Sequence, residues 1–240
     1  MKKRTMKSPT SMKNPFMKTS TSMCAAAALV AGLANAAAET IVIDRDYNDG
    51  ANIAEYSARD TTSPFDGLAD FANSKFNNGT GVGVTVEGTE LRRPSFFFEI
   101  PTGYTSAQIS SATLRFRLHE MNNPTEELAI YSAALDTLGT QDGRYARSTF
   151  SDESFANSGL RISTDAATRT NYEFDVTSLV KRALDQNLST TVVAFRFQMM
   201  DDTSLEGGIP NNYCLLGFEN ETPWSRPALT LEVIPAPGAP

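Results

Sequence analysis

The chain has 240 residues, 21 Lys and Arg against 28 Asp and Glu, and a formal net charge of −7. Six of the basic residues and no acidic one fall within the first 38, which leaves the remaining chain at about −13. That balance argues against a nucleic-acid backbone or an anionic bilayer as partner and favours divalent cations.

Residues 1–38 run basic, then apolar, then small. Lys2, Lys3, Arg4, Lys7, Lys13 and Lys18 precede an apolar run from Met23 to Ala34, and Ala34-Asn35-Ala36-Ala37-Ala38 offers A-x-A cleavage choices. This order predicts a secretory signal peptide. The run falls short of the roughly 20 apolar residues of a membrane span. The expected product is an exported protein, secreted or held at a bacterial cell surface, with no membrane span in the mature chain. Residues 39–233 then form one domain, and the Pro-rich residues 234–240 form a tail.

Chain order after the leader begins with a strand, Glu39–Ile43, and an acidic segment. Asp44, Asp46, Asn48, Asn52 and Glu55 stand at positions 1, 3, 5, 9 and 12 of a calcium-type loop. Calcium takes six to eight oxygen ligands, and this spacing can wrap them around one Ca2+ ion. Position 6 is Asp49 rather than Gly, and a strand precedes the loop; the alternative is a solvated acidic turn. Further strands are expected at Gly81–Glu87, Ser95–Ile100, Ala112–Leu118, Glu127–Ser132, Tyr172–Val176, Val193–Met199, Tyr213–Phe218 and Leu229–Val233. In Ala112–Leu118, Val193–Met199 and Leu229–Val233 apolar residues take every second place, so one face meets a core and the other meets water or a ligand. Val176, Leu179, Val180, Ala183 and Leu184 follow helical spacing and predict one short helix, about Thr177–Gln186, capped by Asp175 or Thr177. A helical turn is expected at Ser151–Phe155. Many short strands with one or two short helices predict an all-β, jelly-roll β-sandwich.

Three segments in order carry a resemblance. Arg93-Pro-Ser-Phe-Phe-Phe-Glu-Ile100 precedes Ile109-Ser-Ser-Ala-Thr-Leu-Arg-Phe116; Tyr172-Glu-Phe-Asp-Val-Thr-Ser-Leu-Val180 follows; Phe218-Glu-Asn220 then leads to Ser225-Arg-Pro-Ala-Leu-Thr-Leu231. The combination resembles the exported β-sandwich modules of the disaggregatase-related (DNRLRE) group over roughly Arg92 to Val233. Members of that group are similar to carbohydrate-binding jelly rolls and occur in bacterial surface and polysaccharide-handling proteins. The tail, Val233-Ile-Pro-Ala-Pro-Gly238, is similar to the proline motif that opens a PEP-CTERM-type sorting signal.

Arg115 and Arg117 share the outward face of one strand and Arg196 is expected to point outward on another. Together they would form a basic stripe whose guanidinium forks suit an anionic polysaccharide. The alternative is ordinary cross-strand pairing with Glu or Asp. Trp224, the single tryptophan, lies in Thr222-Pro-Trp-Ser-Arg-Pro227, a stiff loop that could present a ring to a sugar face or close the end of the sandwich. Asp201, Asp202 and Glu206 form a second acidic cluster. Cys214, alone after the leader, reads as a small buried residue.

Enzymatic signals are thin. His119 is the single histidine, no G-x-S-x-G elbow occurs, and the carboxylate pairs Asp152/Glu153 and Glu219/Glu221 carry no spacing that identifies glycosidic chemistry. Asn78-Gly-Thr80, Asn187-Leu-Ser189 and Asn220-Glu-Thr222 are N-glycosylation sequons. The expected function is a non-catalytic, calcium-stabilised extracellular module that binds polysaccharide or a cell-surface glycan. A structural cell-surface or matrix protein is the alternative, and a polysaccharide-degrading enzyme a third reading.

Overall fold

The computed structural model describes residues 38–44, 53–61, 66, 68–73, 80–84, 89–122, 124–139, 147–200, 213–216 and 227–234. All belong to the unit Ala36–Pro240. The domain is all-β. Its strands are β1 (Glu39–Asp44), β2 (Ile53–Asp60), β3 (Phe71–Asn73), β4 (Thr80–Val84), β5 (Leu91–Ile100), β6 (Ile109–Asn122), β7 (Leu128–Leu135), β8 (Ala156–Ile162), β9 (Thr170–Asp175), β10 (Thr191–Met199), β11 (Tyr213–Leu216) and β12 (Ala228–Val233), with helix α1 (Thr177–Leu184) before β10.

Hydrogen bonding runs in the order β1-β12-β6-β11-β4-β5-β10-β7-β8, with β9 on the far edge of β6 and the β2–β3 pair on the far edge of β5; every pairing is antiparallel. The sheet folds over on itself at β11 and β4. Phe116 of β6 meets Phe197 of β10 edge-on at 4.8 Å between ring centroids, although the two strands are not neighbours in the sheet. Phe96 packs against Phe197 at 5.4 Å, and Phe116 stacks on Phe174 of β9 at 5.9 Å. These rings form the centre of one large core. Each fully buried aromatic contributes about 1.5–3 kcal/mol over its exposed state.

Alternation works as expected along β6, where Ala112, Leu114, Phe116 and Leu118 are buried. The strand continues to Asn122, well past the expected Leu118. Helix α1 lies against β6, β7 and β10. It buries Val180 and Ala183, with Val176 buried just before it and Leu179 and Leu184 packed at the margin. Its start is tied down by Asp175-Val176-Thr177. Asp175 Oδ1 accepts hydrogen bonds from the Thr177 N–H (2.9 Å) and Oγ1–H (2.6 Å). Thr177 Oγ1 also accepts from the Ala112 N–H of β6 (2.8 Å), and the Val176 N–H donates to the Ala112 carbonyl (2.9 Å). One side chain thus caps the helix while the next fixes it to the sheet.

Three differences from the sequence reading have physical causes. Strands β2, β3 and β8 were not expected. β8 carries Asn157, Ser158 and Gly159, which read as a turn, yet a register shift opposite Ile130/Tyr131 accommodates Gly159 at φ +82°. Ser158 Oγ–H donates to the Ile130 carbonyl across that irregularity. Helical backbone occurs at Arg147–Ser148, and the expected helical turn at Ser151–Phe155 is a run of non-helical turns. Finally, β10 is buried on both faces, and Arg196 is 6% exposed rather than outward in solvent.

Candidate functional site

The outer face of β5, β10 and β7 is closed by residues 147–155. Phe97, Ala133, Val192 and Ala194 of the sheet meet Phe155 in a second apolar cluster. Two buried arginines hold the cover. Arg196 Nη1–H donates to the carbonyls of Thr149 (3.0 Å) and Asp152 (3.1 Å), and its Nε–H donates to Gln198 Oε1 (3.0 Å). Its guanidinium lies 4.8 Å from the Phe155 ring centroid and 5.4 Å from that of Tyr131. Arg93 on β5 donates to the Phe150 carbonyl (2.8 Å) and sits 4.3 Å over the Phe150 ring. Hydrogen bonds from a charged donor contribute about 1.5–3 kcal/mol each, so these side chains fasten the cover to the sheet. Arg196 is therefore removed from the ligand-facing set: its charge is consumed by backbone carbonyls within the fold.

The opposite outer face, on β1, β12, β6 and β9, carries mostly polar side chains, with Ala228 fully buried among them. Register aligns its side chains in rows. Asp44, Ala228, Arg115 and Glu173 form one row. Val42, Thr230, Thr113 and Asp175 form the next, and Thr40, Glu232 and Ser111 a third. Arg117 pairs with Asn171 on the other side of the Arg115 row. Arg115, Arg117, Thr113 and Thr230 are half-buried, Glu173, Asn171 and Asp175 exposed. Four strands at about 4.8 Å spacing make this face about 14 Å across its rows. Thr40 Oγ1–H donates to Glu232 at 2.9 Å, and the Nε–H of Arg117 is buried with no hydrogen-bond partner among the described residues. Glu173 lies directly across from Arg115, so the charges on this face alternate rather than forming a uniform basic stripe.

Sequence reasoning placed Arg115 and Arg117 on this face and missed Glu173, Asn171 and Thr230. The alternation in Tyr172-Glu173-Phe174-Asp175 already turns Glu173 away from the core. Which strand lies beside it depends on pairing between segments far apart in the chain.

Of the calcium-type loop, Asp44 ends β1 half-buried, and Glu55 lies within β2, 5% exposed and opposite Phe96. Strands therefore flank the loop on both sides. Asp46, Asn48 and Asn52 lie outside the described residues, as do Trp224, the Asp201/Asp202/Glu206 cluster and the Glu219/Glu221 pair. Among the described residues no group of three or more His, Cys, Asp or Glu is arranged to hold a metal. The chain segment bearing Trp224 leaves the sheet at Leu216, opposite Leu118, and returns at Ala228, opposite Arg115. Its described ends thus flank Phe116 and Arg117 on β6.

The remaining titratable groups have structural explanations. Cys214 is fully buried and its thiol is pushed up to about 12 by desolvation, which suits packing and not nucleophilic chemistry. His119 is half-buried beside exposed Glu120. Glu90 receives hydrogen bonds from Arg59 (3.0 Å) and Arg92 (Nε, 2.9 Å). Burial acts to raise its carboxyl, but the hydrogen bonds and charges of Arg92 and Arg59 outweigh that and hold it below the usual carboxylate value. Among the described residues, one shallow cleft of about 170 Å³ lies beside Ser154 and Arg182 and another of about 210 Å³ between Tyr104 and Asn187. No described helix is long and apolar enough to cross a membrane. No protein-family model and no curated protein sequence matches the chain.

Proposed function

We propose that this protein is a non-catalytic, exported carbohydrate-binding module of the DNRLRE-like kind, with a jelly-roll arrangement of its strands, that holds a polysaccharide or cell-surface glycan on the polar outer face of β1, β12, β6 and β9. The observation that carries this reading is the contrast between the two outer faces: one is sealed by residues 147–155, while the other carries rows of half-buried Thr and Arg beside exposed Asn171, Glu173 and Asp175. Alternating donors and acceptors on a rigid antiparallel surface suit sugar hydroxyls, which need both. Arg117, half-buried on the outward side of β6, supplies a guanidinium for a sugar carboxylate or sulfate. Trp224 is the proposed stacking platform beside that face, and Ca2+ at Asp44, Asp46, Asn48, Asn52 and Glu55 the proposed stabilising ion.

The test is affinity electrophoresis of the protein in gels containing neutral or acidic polysaccharides, with and without calcium. Retardation by an acidic polysaccharide that is lost in Arg117→Ala supports the assignment. Unchanged mobility in every gel overturns it. Self-association in place of retardation favours the structural surface-protein alternative.

A further inference from the structure

The turn that joins α1 to β10 contains Asp185-Gln186-Asn187-Leu188-Ser189. We propose that Asn187 is an acceptor site for N-linked glycan transfer, with Ser189 and Asp185 as its recognition elements and a polyprenyl-diphosphate-linked oligosaccharide as the donor. This goes beyond glycan binding, since here the chain carries the sugar rather than recognising it.

The geometry suits an enzyme that must reach a folded acceptor from solvent. The helix closes with the Asp185 N–H on the Lys181 carbonyl (3.0 Å) and the Asn187 N–H on the Leu184 carbonyl (3.2 Å). The chain then reverses at Asn187, whose φ of +51° is a left-handed conformation that Asn adopts more readily than most residues. Asp185, Asn187 and Ser189 are all exposed. The acceptor Nδ2 makes one long hydrogen bond, 3.2 Å to the Asp185 carbonyl, which is easily exchanged for a contact with an enzyme. Beside it lies the cleft of about 210 Å³, bounded opposite by Thr102 and Tyr104, where a first sugar ring can rest without displacing the core. Asp185 distinguishes this sequon from the other two. A carboxylate stands two residues before Asn187, whereas Phe76 and Phe218 occupy that place before Asn78 and Asn220.

In the transfer, Nδ2 attacks the anomeric carbon of the donor. The carbon–oxygen bond to the diphosphate breaks and its electron pair leaves with the polyprenyl diphosphate. One of the two Nδ2 protons passes to a base of the transferase, and the amide keeps the other.

The test incubates the folded full chain with an oligosaccharyltransferase and its lipid-linked donor, beside a control acceptor peptide that reports enzyme activity. Trypsin then releases Ala183–Arg196, which contains a single Asn. The expected result is a mass gain of one glycan on Asn187, lost in Ser189→Ala, retained in Ser189→Thr and lost in Asp185→Ala. An unmodified Ala183–Arg196 peptide beside a modified control overturns the proposal, as does modification that occurs only after denaturation or persists in Ser189→Ala.

Discussion

The two outer surfaces of this sandwich are both built from antiparallel strands and end in different states. On β5 and β10, Phe97, Val192 and Ala194 point away from the main core and are nevertheless buried, because residues 147–155 cross over them. On β6 and β12, the corresponding outward residues are Thr113, Arg115, Arg117, Thr230 and Glu232, all half-buried. An arginine on the first surface is a fastening, since Arg196 spends its donors on backbone carbonyls. On the second surface, Arg117 lies half-buried beside Asn171 and is the proposed ligand contact. Residue type alone does not separate these roles; what lies above the sheet does.

Substitutions that open the covered surface should have the largest effect. Phe155→Ala removes the ring that seals it and should cost about 3–5 kcal/mol, read as a lower urea midpoint. Arg196→Ala should cost about 3 kcal/mol, because the buried Thr149 carbonyl and the part-buried Asp152 carbonyl lose its donor; if its midpoint matches that of Arg117→Ala, the contrast between the surfaces fails. Asp175→Ala should cost about 1 kcal/mol through loss of the helix cap. Arg117→Ala should change stability by less than about 0.5 kcal/mol, as surface substitutions do, while abolishing retardation by acidic polysaccharide.

Acidification sharpens the same comparison. Hydrogen bonds from the Thr177 hydroxyl and N–H hold the Asp175 carboxyl below its ordinary value, and the Glu90 carboxyl is lowered by Arg92 and Arg59 against the opposing effect of burial. A folded state that binds a proton less readily than the unfolded chain is favoured above the ordinary carboxylate range and loses that advantage as pH falls through the lowered values. Thermal unfolding should therefore move down below about pH 4, and less so in Asp175→Ala. The Cys214 thiol should resist alkylation in the native protein at pH 8 and react on unfolding. Rapid native labelling would place it outside the core.

Much of the framework was legible in the chain. The period-two runs of β6, β10 and β12 and the helical spacing from Val176 to Leu184 each report a local periodicity, and each element formed where its pattern stood. The triple Phe96-Phe97-Phe98 and the pair Val192-Val193 also held a signal for burial on both sides, since strands covered on two faces lose their alternation. β8 was not legible because Asn157, Ser158 and Gly159 favour turns in isolation, and only pairing with β7 makes them a strand.

What the sequence determined by itself is the all-β class, the packed helix Thr177–Leu184, the acidic balance and the outward placement of Arg115 and Arg117. These depend on side-chain order along a single strand or helix. Tertiary structure alone decided that Arg196 is enclosed, that Glu173 lies opposite Arg115, and that residues 147–155 cover one outer surface. Those outcomes depend on contacts between segments distant in the chain, such as Arg196 with Thr149 and Arg115 with Glu173. No local periodicity encodes which partner a strand or a loop will find.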